Sequence, residues 1–206
     1  MKIAIVHNLP EGGAKRVMMQ HTRWLSKRHT VRIFHDESSL TVRTYHGIFR
    51  PLELVEYVRI LFQYKKMAER IDMWKPDIVL VHPCKVFQAP AVLFFLHCPT
   101  VYYAHETLRE VYEPFFSRYF FELPKIKKVF EYVKRYIRAY VDMHAVRNAV
   151  QIYANSKHTQ SLVFHTYHRA SRVVYPGVDL AIFHPFTRTK KKRQLLFVGK
   201  KTSDNG

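Results

Sequence analysis

Acids, cysteines and glycines are all scarce in this sequence, and each shortage excludes something. Only 16 Asp and Glu stand against 34 Lys and Arg in 206 residues, a formal net charge of +18 at pH 7. An imbalance of that size points to an anionic partner: nucleic acid, a membrane surface or a phosphorylated substrate. Two cysteines, Cys84 and Cys98, are too few for a disulfide framework and are expected as free, mostly buried thiols. The six glycines form neither a GxGxxG fingerprint nor a GK[ST] phosphate loop. CxxC, HExxH and zinc-finger spacings are also missing, so no metal site is expected. There is no GxSxG to mark a serine nucleophile. No apolar run approaches the ~18 residues that span a bilayer. The longest, residues 89–98, is broken by Pro90 and His97. Residues 3–6 are too short for the apolar core of a signal peptide, so the expected location is the cytoplasm.

What is present is a rhythm. Hydrophobic residues make up 48% of the chain, enough for a sizeable core. Residues 2–6 read as a continuous, buried strand, and Gly12-Gly13 then opens a helix carrying Val17, Met18, His21, Trp24 and Leu25 on one face. Residues 30–34, 76–81, 100–104, 151–154 and 172–175 read as further strands. Long helices are expected to begin at Pro51 and Pro124, since proline suits a first helical turn. A shorter helix is expected over 86–96, and Ser156 has the side chain of an N-cap. Strand and helix alternate, which means an α/β fold: a Rossmann-like parallel sheet with helices on both faces. In such sheets ligands bind beyond the carboxyl ends of the strands, at the switch point. That rule selects residues 7–13, 82–85, 105–106 and 155–156. A basic linker and one more strand, residues 194–198, follow the last unit. The expected division is residues 1–186 as one domain and 187–206 as a linker plus the first strand of another.

Four segments, KIAIVHNLPEGGAKRV, TVYYAHE, YANSKHT and VVYPGVDLAIFHP, together resemble the family 4 (group 1) glycosyltransferases of the GT-B fold. LLFVGKKTSDNG is similar to the first strand of that family's C-terminal domain. The resemblance implies two Rossmann-like domains facing each other across a cleft. The N-terminal one binds a glycan or lipid-linked acceptor. The C-terminal one, required for activity, holds a nucleotide-sugar donor through two glutamates seven residues apart. It also implies transfer with retention of configuration and no bound cofactor or metal beyond the donor substrate. The glutamate pair lies outside these 206 residues, so the chain by itself is expected to be inactive.

His105, directly after a strand, is the expected catalytic residue. An imidazole there can donate to a sugar hydroxyl or to charge developing on the leaving diphosphate, and in the family pattern the matching histidine lies in the cleft beside the transferred sugar. Glu106 is expected to orient it or to meet an acceptor hydroxyl, and Arg109 to contact acceptor phosphate. Gly12 and Gly13 allow close backbone approach at a helix N-terminus, with Lys15 adding positive charge for an anionic group. Asn155 and Ser156 read as structural.

The helix from Pro124 carries Ile126, Val129, Phe130, Val133, Ile137, Tyr140, Val141 and His144 at helical spacing, read as the core face. Its other face bears Lys127, Lys128, Lys134, Arg135 and Arg138, just after an aromatic stretch that includes Phe115 and Phe116. Together these predict peripheral contact with an anionic membrane. The competing reading is a non-catalytic basic module for membrane or nucleic acid. No RNA- or DNA-binding motif supports a specific nucleic-acid partner.

Overall fold

In the computed structural model, the residues described are 1–36, 40–45, 51–113 and 124–184, with residues 193 and 195. Among them six strands form one fully parallel sheet: β1 (Lys2–Asn8), β2 (Thr30–Phe34), β3 (Ile78–Cys84), β4 (Thr100–Ala104), β5 (Gln151–Ala154) and β6 (Arg172–Val173). Their order across the sheet is β2-β1-β3-β4-β5-β6. The chain runs from β1 outward to β2, then returns to lay β3 on the other side of β1. That reversal opens a crevice between the carboxyl ends of β1 and β3. The expected linker, the expected strand at 194–198 and the expected membrane residues Phe115 and Phe116 lie largely or wholly outside the described residues.

The apolar run of β1 is buried on both faces, as a central parallel strand requires. Ala4 and Val6 join a large core that also contains Ile60, Tyr64, Ile71, Val79, Val81, Phe87, Ile152 and Val163. Ile3 and Ile5 point the other way and pack with Met18. The larger core is roofed by α2 (Leu52–Trp74), a 3-10 turn (Ala91–Phe94), α4 (Lys125–Asn148) and α5 (Lys157–Tyr167). The opposite face carries α1 (Gly13–Leu25). A short helix, α3 (Arg109–Tyr112), follows β4. Ser156 caps α5 as its type predicts: its Oγ accepts from the Thr159 amide at 3.1 Å.

Three sequence expectations need correction. The helix expected over 86–96 is only the 3-10 turn Ala91–Phe94. Pro90 has an extended ψ of 136° and lacks an amide, so no longer helix passes through it. Trp24 is not on the buried face of α1; it is 69% exposed, with the Lys27 ammonium 3.9 Å above its ring. Third, α4 is turned about its axis relative to the hydrophobic stripe. Val129 and Tyr140 face solvent, while Val141, Asp142, Ala145 and Val146 are buried. A count of large apolar residues misses this phase, because the contact side is made by small residues and one carboxylate.

The same rotation turns two of the predicted surface cations inward. Lys134 Nζ meets Glu53 Oε2 on α2 at 2.8 Å and Glu131 Oε1 at 3.5 Å. Arg138 Nε donates to the Val86 carbonyl at 2.7 Å, and its guanidinium also pairs with Glu110. The outward side of α4 is instead a row of Val129, Tyr132, Tyr136 and Tyr140, all more than half exposed. Lys127 lies on the surface near the start of the helix, and Lys128 and Arg135 are partly exposed.

Candidate active site at the strand ends

β1, β3 and β4 end side by side, and each delivers a histidine. His7 and His82 are buried within the strands, and His105 follows β4 directly. His82 Nδ1 lies 3.4 Å from His105 Nε2. Only one proton can sit between them, so one ring donates and the other accepts. The Tyr103 ring packs edge-on against His21 and His105 and near His82, with centroids 4.7, 5.1 and 5.5 Å away. His21 reaches this group from α1. His7 stacks on His35 at 4.3 Å, and its Nδ1 accepts from the Leu9 amide at 3.4 Å.

Burial keeps His82, His105 and His21 neutral. His82 is held well below the ordinary histidine value by burial, with His105, His21 and His7 adding to the effect. His105 is pushed down to about 4, again first by burial and then by His21. A charged imidazole would have to shed water in a place that offers no counter-ion. Glu106 moves the other way: burial raises its carboxyl, with Arg109 partly offsetting the rise.

Two backbone carbonyls after β4 are held by side-chain amides. Asn155 Nδ2 donates to the His105 carbonyl at 3.1 Å, and Gln88 Nε2 donates to the Glu106 carbonyl at 3.3 Å. The structural role expected of Asn155 is therefore visible, and its target is the loop that carries His105.

An open cavity of about 390 Å³ lies over these strand ends. His105, Glu106 and Arg109 line it together, with Lys85, Gln88 and Arg138 from neighbouring elements. Gly13 and Lys15 line a second hollow of about 840 Å³, between α1 and residues 177–183. The N-terminus of α1 thus stands between the two. Gly12 has a φ of 153°, a backbone shape that other residues adopt only under strain. A Cβ on either Gly12 or Gly13 would meet nothing within 4 Å, so the loop is open to an approaching ligand. The first helical hydrogen bond runs from the Arg16 amide to the Gly12 carbonyl. The amides of Gly13 and Ala14 precede it and point out from the helix N-terminus. Lys15 itself pairs with Glu11. Among the described residues, no three His, Cys, Asp or Glu side chains stand where they could hold a metal ion.

Sequence reasoning assigned no individual role at the site to His82, Gln88 or Asp142. The switch-point rule marks His82 by position. Nothing in the spacing marks Asp142, which lies far along the chain in α4.

The model of Glycosyltransferase Family 4 matches residues 11–182. The chain belongs to glycosyltransferase family 4. The match spans everything from the Gly12-Gly13 loop to the hollow beside α1. Among solved structures, Anabaena Alr3699/HepE in complex with UDP is 19% identical, with a TM-score of 0.53, over 88% of this chain and 46% of its own. The same protein in complex with UDP and glucose is 18% identical, with a TM-score of 0.52, over 91% and 47%. At that identity the likeness concerns the fold: a Rossmann-like half of a GT-B protein. The chain spans about half the length of these structures. No curated protein matches it.

Proposed function

We propose that this chain is the acceptor-binding half of a transferase that moves a hexose, with retention, from a nucleotide-sugar to a glycan or lipid-linked acceptor. The observation that carries the reading is the His82–His105 contact, with His105 lining the strand-end cavity and burial holding both rings neutral. With His82 Nδ1–H donating to His105 Nε2, His105 keeps Nδ1–H as a fixed donor. Placed beside a departing diphosphate or a sugar hydroxyl, it stabilises developing negative charge without reorganising. Glu106 receives or orients an acceptor hydroxyl, and Arg109 meets acceptor phosphate. The amides after Gly12, with Lys15 beside them, suit an anionic group reaching across from the donor side. No bound metal or other cofactor enters this scheme. That a related fold has been crystallised with UDP and glucose supports the donor class.

The test is a transfer assay with UDP- and GDP-sugars on this chain alone and on it joined to a nucleotide-sugar-binding half. Turnover is expected only in the joined form, because catalysis needs donor and acceptor held together. Normal rates from the 206 residues alone would overturn the division of labour.

The acceptor reading extends to a membrane. No helix among the described residues is long and apolar enough to cross one. The tyrosine row of α4, with Lys127 and Lys128 near its start, suits the interfacial zone of an anionic bilayer on its cytoplasmic side. Each surface cation contributes ~1 kcal/mol there. Co-sedimentation is expected with phosphatidylglycerol vesicles and not with phosphatidylcholine vesicles. Equal pelleting with both would remove the electrostatic part. The basic-module alternative predicts the same binding but no sugar transfer in the joined form.

A further inference from the structure

Three non-glycine residues among those described adopt positive φ: Lys75, Gln88 and His168. Lys75 and His168 are the left-handed caps that close α2 and α5, a routine place for that conformation. Gln88 closes no helix. Its φ of 64° occurs in the tight turn after β3, where its carbonyl accepts from the Cys84 amide at 2.8 Å. The turn is clamped from behind by α4. Asp142 Oδ1 accepts from the Ala89 amide at 2.8 Å, and Arg138 Nε donates to the Val86 carbonyl at 2.7 Å. Glycine is the residue this backbone shape favours, because any Cβ strains it. A long polar side chain is present instead. It lines the strand-end cavity and donates to the Glu106 carbonyl.

We infer that Gln88 is a specificity-determining residue of the acceptor site: one amide N–H fixes the loop bearing His105 and Glu106, and the rest of the amide recognises a sugar hydroxyl of the acceptor. This rests on the proposed acceptor role of the cavity and adds to it. An amide suits the task. It has two N–H donors and a carbonyl acceptor, and one donor alone is used by Glu106. A hydroxyl both donates and accepts, so it can pair with the remaining N–H and the carbonyl oxygen together. Rigid placement is what makes such recognition selective, and the turn held by Asp142 and Arg138 supplies it. Local strain retained at a clamped position beside a cavity fits a site where side-chain identity matters more than backbone comfort.

The inference separates stability from binding, because glycine should relax the turn while removing the amide. The experiment compares the wild-type chain with Gln88→Gly and Gln88→Glu. It reads thermal unfolding, hydrogen exchange of the amides at 106–108, and saturation-transfer NMR with the methyl glycosides of glucose, galactose and mannose. Gln88→Gly is expected to melt at the wild-type temperature or above it. Its loop amides should exchange faster, and it should lose about tenfold in affinity for the preferred glycoside, the scale of one lost hydrogen bond. Gln88→Glu keeps an acceptor but no donor, so it should loosen the loop and shift the preference among the three sugars. Unchanged glycoside affinity and ranking in both variants would overturn the inference, as would the absence of glycoside binding to wild type. Failure of the transferase reading shows elsewhere, as turnover that ignores His105.

Discussion

Replacing His105 by alanine is expected to lower kcat of the joined transferase by about two to three orders of magnitude, the scale of one lost preorganised donor. The donor KM should change little under the proposed division of labour, which puts the nucleotide mainly on the other half. Asparagine at the same place should recover part of the loss, since its amide can still donate. The pH profile gives a second readout. His105 titrates near 4, pushed down by burial. It therefore acts as a neutral donor across neutral pH, and its contribution to kcat should stay flat from about pH 5 to 8. A limb with a midpoint near 6.5 that vanishes in the alanine variant would contradict this, since it would mean that an imidazolium does the work. His82 is expected to matter indirectly, by setting which nitrogen of His105 carries the proton. His82→Phe should lower kcat while keeping the buried position beneath His105 filled.

The second large effect concerns stability and centres on Asp142. This carboxylate is fully buried. It accepts from the Ala89 amide and from the Tyr167 hydroxyl, both at 2.8 Å, and Tyr112 also reaches it. It therefore ties α4 to the turn after β3 and to α5. Asp142→Leu is expected to cost about 3 kcal/mol or more, because two or three buried donors lose their partner. Asp142→Asn keeps an acceptor for the Ala89 amide and should cost under ~1 kcal/mol at pH 6. Calorimetry or urea unfolding distinguishes the two.

Burial raises the Asp142 carboxyl to about 7, against the hydrogen bonds and Arg138 that lower it. Its folded value thus lies above its unfolded one. Stability from this group is fully present below pH ~4 and is lost as pH rises through 7. The imidazoles run the opposite way: His105, His82 and His21 are all lowered. Acidification from ~6.5 toward 4 therefore destabilises the fold as unfolded histidines take up protons. In wild type the two trends partly cancel. Asp142→Asn removes the first, so the variant should gain on wild type as pH rises from about 4 to 7, level off above that, and fall off more steeply on acidification. Parallel pH curves for the two proteins would show that Asp142 is ionised throughout.

Much of the scaffold was legible in the residues. The β-branched run of β1, the prolines that open α2 and α4, and the Ser156 cap are local signals, and local physics decides them. The alternation of strand and helix implies a parallel sheet, and the strand-end rule selects the position of His105 as a candidate. Helix phase was not legible where small residues make the contact. Ala145 and Asp142 face the core of α4 while Tyr140 and Val129 face water, and hydrophobicity alone would reverse them. Lys134 likewise belongs to Glu53, a partner far away in the sequence. The sequence by itself determined the fold class and the family, because these follow from short-range patterns. Only the tertiary structure brought His82 against His105, set Gln88 under strain at the cavity and buried Asp142 beneath it. Each of those depends on contacts between elements distant along the chain, and burial there sets the proton affinities that give the site its chemistry.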